Sequence, residues 1–242
     1  GKEVTFADIA AKAGMLAGKE EGYTITLYAV YSANTYTLEY ASAYPTFAGT
    51  KANETTVESF TYSADGKITL KGDIFSYTGA TITGWFLNSA NTYEKATSVK
   101  IADILSAAGL LKTNTGKVTL SAVWTQNKYS LTITDRFVGA NGTLTTGTTG
   151  GSVSGAGTDY FYTQSVTLKV TAKDGYVFAG LYTNSSCQTA LTTGLTVVTE
   201  GKEYSFKMPA SNTTIYAKFE IQKYTLTVNN YVKYGSESAT KS

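Results

Sequence analysis

The sequence contains no histidine and a single cysteine, Cys187. Without an imidazole, a His-based nucleophile triad, the common proton shuttle at neutral pH and a His-ligated zinc site are all excluded. A lone thiol builds neither an intrachain disulfide framework nor a thiolate cluster, and a Cys nucleophile would have no His to activate it. Charge is also sparse. Lys and Arg number 20 against 18 Asp and Glu, and charged residues make up 16% of the chain. This near-balance, with no long basic run, offers no field for a phosphate backbone or an acidic membrane, so nucleic acid is not expected as a partner. No apolar stretch approaches the roughly twenty residues that cross a bilayer, so no membrane insertion of this segment is expected. No signal peptide is visible, and the opening Gly1-Lys2-Glu3-Val4 lacks an initiator Met, which suggests a product processed or excised from a longer chain.

The remaining routes to catalysis are few. No Walker A loop, Rossmann glycine pattern or EF-hand string of acids can be read. Ser238 to Lys241, "SATK", fits a Ser-x-x-Lys pattern, but it lies in a polar stretch away from any helix that would hold the pair in register. Paired carboxylates are the only general acid–base option left. Glu20-Glu21 sit in an expected turn, and Asp8 and Asp103 are explained by helix starts, where the dipole favours a carboxylate. The expectation is therefore no enzyme, with no catalytic residue, no cofactor and no metal.

What the chain does contain is 42% hydrophobic residues, 19 Tyr and 10 Phe, with frequent Thr and Val. That mixture supports sizeable cores and favours half-buried pleated surfaces, hence strands. Its 242 residues suffice for one large domain or two ordinary ones.

Internal repetition decides between these. Val4–Leu16 aligns with Val99–Leu111, sharing Val, Ala, Asp, Ile, Ala, Gly and Leu. In the second copy Ile101, Ile104, Leu105, Ala108 and Leu111 share one face at helical spacing, which predicts an amphipathic helix over 100–111. Gly14 and Gly109 fall where a left-handed cap is expected. The match continues into a strand: Leu27, Leu120 and Ile215 correspond, as do Ala29, Ala122 and Ala217, and Tyr31, Trp124 and Phe219. Period-two alternation puts each trio on one face. A polar link of four residues or so follows ("SANT", 32–35; "TQNK", 125–128), and Tyr36, Tyr129 and Tyr224 open the next strand.

The domains predicted are thus 36–128 and 129–223, flanked by the end of a preceding repeat (1–35) and the start of a following one (224–242). Within the units, Gly84-Trp85-Phe86 pairs with Gly180-Leu181-Tyr182. Turn signals stand at Asp65-Gly66, Asn141-Gly142, Asp174-Gly175 and Glu200-Gly201. The first unit is expected to be α+β and the second all-β, with 142–157 a mobile Gly/Thr-rich loop running into a strand.

These landmarks resemble the internalin-type B-repeat, or Listeria–Bacteroides repeat, family. The residues that carry the resemblance are Tyr36-Thr37-Leu38, Gly84-Trp85-Phe86-Leu87-Asn88 and Leu120-Ser121-Ala122-Val123-Trp124. Residues 129–223 look like the divergent version, through "GSVSGAG" (151–157), "VTLKVTAKDGYVFAG" (166–180) and "FKMPASNTTIYAKF" (206–219). Leu181 stands where Trp is usual, and the first unit is long for the family. The resemblance implies mainly β, β-grasp-like α+β domains with one short helix per helix-bearing unit, in a tandem array on extracellular bacterial surface proteins, often adhesins.

Several surface residues are candidates for chemistry. Asn-x-Ser/Thr sites occur at Asn53, Asn141, Asn184 and Asn212, as composition alone would produce. Trp85 and Trp124 could stack on sugar rings, but their strand positions favour the core. Lys169 and Lys218 could form Lys–Asn amides, though a strand lysine more commonly discourages edge pairing. The function read from the sequence is a stalk or spacer segment of a secreted bacterial surface protein. Its alternatives are a filament subunit assembled by strand exchange and a module binding a carbohydrate or a host protein. The partners that follow are neighbouring repeats of the same or another copy of the chain, or a host receptor or glycan.

Overall fold

The computed structural model describes residues 31–47 and 49–228, together with Thr5, Asp8, Ile9 and Lys12. The protein is mainly β. Its first sheet is assembled from β1 (Thr35–Ala41), β2 (Thr55–Thr61), β4 (Ala80–Asn88), β5 (Asn91–Glu94) and β7 (Thr115–Gln126) in the order β2-β1-β7-β4-β5. A small ribbon of β3 (Lys67–Thr69) and β6 (Ser98–Lys100) leads into α1 (Ile101–Ala107). Alternation sets the buried face: Tyr36, Leu38 and Tyr40 of β1 and Val118, Leu120 and Ala122 of β7 point inward. α1 closes the core over them with Ile101, Ile104 and Leu105. Trp85 is fully buried against the edge of Tyr40, ring centroids 4.7 Å apart, and its Nε1 donates to the Lys71 carbonyl at 2.7 Å. Such pairing removes the penalty of burying the indole N–H, leaving its large apolar area as net gain.

The predicted helix is shorter than its stripe. Asp103 does lie in the first turn. Gly109, at φ +71°, then reverses the chain: its N–H bonds the Ser106 carbonyl at 3.0 Å and the Leu110 N–H bonds the Leu105 carbonyl at 2.8 Å. This is the Schellman arrangement that ends a helix. The reversal swings Leu110 onto the core and leaves Leu111 outside α1 and 42% exposed. In the early copy, Asp8, Ile9 and Lys12 are helical, and Thr5 and Asp8 form a reciprocal cap. The Asp8 N–H reaches Thr5 Oγ1 at 3.2 Å, and Asp8 Oδ2 accepts from the Thr5 N–H at 3.0 Å. Gly14, Glu20-Glu21, Leu27 and Ala29 lie outside the described residues, as does "SATK".

Residues 128–221 form two packed sheets. One holds β11 (Gly157–Phe161), β8 (Lys128–Val138), β16 (Thr213–Ile221) and β13 (Tyr176–Tyr182), in that order, with β9 (Leu144–Thr146) on β8. The other runs β10 (Gly151–Ser154), β12 (Ser165–Ala172), β15 (Glu203–Lys207) and β14 (Leu195–Thr199). Leu131, Leu181, Ile215 and Phe219 from the first sheet meet Val153, Leu168 and Phe206 from the second. No helix interrupts 129–223. The two hydrophobic clusters, one from residues 36–124 and one from 129–219, share no residue.

Three expectations require correction. The Gly/Thr-rich stretch is largely ordered: β9 and β10 flank a short bend, Gly150 lies on the Phe219 Cβ and Gly151 on the Phe219 ring. A Cβ on Gly151 would fall 2.5 Å from that ring and from the Thr171 carbonyl, so the glycines serve close packing. The link "TQNK" is not four residues long, because β7 runs to Gln126 and β8 begins at Lys128, leaving only Asn127. Tyr224 does not open a strand: 222–228 carry no secondary structure, and Tyr224, Leu226 and Val228 are 79%, 86% and 72% exposed. The strands that begin at Thr35 and Lys128 are each held in parallel by a later strand, β7 or β16. Among the described residues 224–228 has no such partner.

Candidate functional site

Asn127 and the turn before β4 carry the passage between the two clusters. The Asn127 N–H donates to the Gly79 carbonyl at 2.9 Å, and its Oδ1 accepts from Thr81 Oγ1 at 2.8 Å. Tyr77 to Ala80 form a β-turn closed by the Ala80 N–H on the Tyr77 carbonyl at 3.1 Å. Gly79 occupies its third position at φ +79°, the place where a type II turn requires glycine. Tyr162, just after β11, packs directly against Gly79. A residue of the second half thus seals a turn of the first.

Beside this contact lies a cleft of about 670 Å³. Its aromatic lining comes from Phe75, Tyr77 and Trp124 on one side and Tyr162 on the other. Buried Tyr44 fixes this wall from behind, 5.6 Å from the rings of both Tyr77 and Trp124. Trp124 and Tyr77 are also tied by their polar atoms. Trp124 Nε1 donates to the Ser42 carbonyl and the Tyr77 hydroxyl to the Gly49 carbonyl, both at 2.7 Å. Ser76, Thr78 and Thr81, the charged Lys51 and Asp73, and the apolar Ala80 and Ile82 complete the lining.

The cation at this cleft is already engaged. Lys51 Nζ donates to the Tyr44 hydroxyl at 2.7 Å and to the Ser76 carbonyl at 3.2 Å, and pairs with Glu54 at 3.2 Å. The Tyr44 bond, aided by Glu54, raises the ammonium above its ordinary value against a desolvation cost, so it stays charged. Asp73 is likewise bound by Lys95 at 2.7 and 2.8 Å.

The residues singled out in the sequence fall into place unevenly. Trp85 is core, as expected, whereas Trp124 is only partly buried and shows one side to the cleft. All four sequon asparagines use the side-chain carbonyl on backbone N–H groups. Asn53 holds Tyr44 at 2.9 Å, Asn141 holds Thr143, Asn184 holds Gln188 and Thr189, and Asn212 holds Ser130. Lys218 pairs with Glu220 at 2.5 Å, and that bond raises its value. Lys169 stands exposed on β12 opposite Ser154 and Glu203, the solvent-facing role expected of a strand lysine. Cys187 is buried at φ +52°, and burial pushes its thiol up despite Arg136 and Lys218 nearby. Among the described residues no group of three or more His, Cys, Asp or Glu converges to hold a metal. No helix among them is long and apolar enough to cross a membrane. Nothing in the sequence pattern marks Gly79 or Tyr162 as functional. The only trace in the sequence is the Thr78-Gly79 turn signal, and nothing local marks its long-range partner.

The two halves repeat one geometry. β1 pairs with β7 as Leu38↔Val118 and Tyr40↔Leu120, and β8 pairs with β16 as Leu131↔Thr213 and Ile133↔Ile215, both in parallel. β4 and β13 then flank these closing strands antiparallel, and each carries a register shift immediately before its glycine, Ile82/Gly84 and Phe178/Gly180. Trp85↔Ala122 and Leu181↔Ala217 occupy the same place beyond it. Residues 142–223, which include β9 to β16, match the family model described as the divergent InlB B-repeat domain, a repeat module of bacterial surface proteins. Neither the curated proteins nor the solved structures yield a match to the chain.

Proposed function

We propose that the chain is a spacer segment of an extracellular surface protein, built from tandem units at 36–128 and 129–223, the first of them β-grasp-like, and free of catalytic activity. The observation that supports this most directly is the repeated strand arrangement. The bulged strand, the closing strand and the parallel opener recur in both halves, while the family match falls on the second. Each unit encloses its own core, and the single-residue link at Asn127 with the Tyr162–Gly79 contact restrains the angle between them. Stability is then a sum of unit and interface contributions, and length grows by adding units. Small-angle scattering on the intact chain tests it. An elongated monomer with an unchanging long dimension across concentrations is expected, and a compact globule of the size normal for this length would end the reading.

A second reading rests on Tyr224, Leu226 and Val228. Their exposed alternation is that of an opening strand awaiting a closing strand. A following repeat would supply one, and so would another copy of the chain, by strand addition. Sedimentation over a wide concentration range separates the two: growth of oligomers supports strand exchange, and a monomer throughout removes it.

A further inference from the structure

We propose that the cleft between Tyr77, Trp124 and Tyr162 binds a neutral saccharide. The inference stands apart from the spacer reading and rests on the cleft alone. Its volume, about 670 Å³, lies within the usual range for small-ligand sites. Four aromatic side chains and three hydroxyl-bearing Ser and Thr side chains make up most of its lining. A ligand that fits must therefore offer flat apolar faces and peripheral hydroxyls together, which describes a pyranose ring.

Charge narrows the class further. The three N–H donors of Lys51 are taken by Tyr44, Ser76 and Glu54, so an acidic ligand finds no free cation there. Asp73 is satisfied by Lys95, so a cationic ligand would have to displace an existing ion pair. What remains free to bond is neutral: the hydroxyls of Ser76 and Thr78, which can donate and accept, and the Thr81 oxygen, which can only accept because its proton is held by Asn127.

The aromatic wall is also pre-organised. Trp124 and Tyr77 are locked by their bonds to the Ser42 and Gly49 carbonyls and by stacking on Tyr44. Little rotamer freedom is left to lose on binding, which lowers the entropic cost. Tyr162 faces them from the other half, so a bound ring would touch both halves.

The chain carries two tryptophans, and Trp85 is sealed in the core, so a ligand-dependent fluorescence change reports Trp124. The experiment titrates the intact chain with cello-, malto-, laminari- and chito-oligosaccharides, followed by tryptophan fluorescence and amide chemical shifts. A saturable change with at least one series is expected, with shifts confined to the turn at Tyr77–Ala80, the end of β7 and Tyr162. Tyr162→Ala should weaken it by about tenfold, the scale of one lost aromatic contact. Thr78→Val, which removes only a rim hydroxyl, gives the same test without touching either core and should weaken binding several-fold. No saturable change with any series overturns the proposal. So does binding restricted to acidic saccharides or to proline-rich peptides, or an affinity unchanged in both variants.

Discussion

Gly79 and Tyr162 belong to opposite halves of the chain, yet a Cβ placed on Gly79 would lie 2.5 Å from the Tyr162 Cβ. Glycine is required there twice over, by the contact and by φ +79°. Gly79→Ala should destabilise the protein by at least ~1–2 kcal/mol, the left-handed penalty alone, with the steric conflict added. A double-mutant cycle in urea separates the parts. In a Tyr162→Ala background the alanine should cost only its backbone share. An equal cost in both backgrounds would show that Tyr162 does not press on this turn.

That contact also marks where sequence reading stops. The repeat was legible because Tyr36/Tyr129, Leu120/Ile215 and Trp85/Leu181 are local patterns of period two, and the structure places each pair in equivalent registers. The short helix was legible from Ile101, Ile104 and Leu105, and its end from Gly109. What escaped depends on distant neighbours. Gly150 and Gly151 read as a loop because nothing nearby reveals that Phe219 fills the space a side chain would take. Tyr224 matches Tyr129 in sequence but lacks a closing strand among the described residues, so the same pattern stays exposed. The cleft escaped for the same reason, since Tyr162 and Trp124 meet only through the fold.

Trp85 and Leu181 occupy equivalent places but are not interchangeable. The indole fills the first core and its Nε1 satisfies the Lys71 carbonyl at 2.7 Å. Trp85→Leu would leave a cavity and orphan that acceptor, so a loss of about 3 kcal/mol is expected in urea unfolding. Leu181→Ala should cost about 2–5 kcal/mol in the second core. If each unit unfolds separately, two transitions will appear, and each substitution will move only its own. A single transition moved by both would mean that the halves unfold as one.

Cys187 should be nearly inert in the native protein. It is 6% exposed, and burial holds its thiol above the ordinary value, so little thiolate is present near neutrality. A disulfide reagent such as DTNB should modify it slowly in buffer and within seconds in denaturant. The native rate then measures opening of the 183–189 segment. Fast stoichiometric labelling without denaturant would contradict the buried placement.

Asp135 gives the clearest dependence on pH. It stands on β8 between Ile133 and Phe137, which pack on the second core, and its Oδ1 accepts the Val153 N–H of β10 at 3.0 Å. Burial raises its carboxyl above the ordinary 3.8, and the Val153 bond only partly offsets this. The folded state therefore binds the proton more tightly than the unfolded chain. Linkage fixes the sign: this group favours folding at pH below the ordinary value, and that contribution is lost as pH rises through the raised one. Glu39 runs the other way. Its hydrogen bond to Lys117 lowers its value below 4.5, and its contribution is lost as pH falls. The two slopes overlap in the parent, so the informative quantity is the difference from Asp135→Asn. The amide keeps an acceptor for Val153 and cannot ionise. Relative to the parent, the variant should gain stability as pH rises from about 4 toward neutrality, the window above the ordinary carboxyl value, and then level off. A difference that is flat in pH, or of opposite slope, would mean that the Val153 N–H outweighs burial and that the ionised carboxylate is the better tether between the sheets.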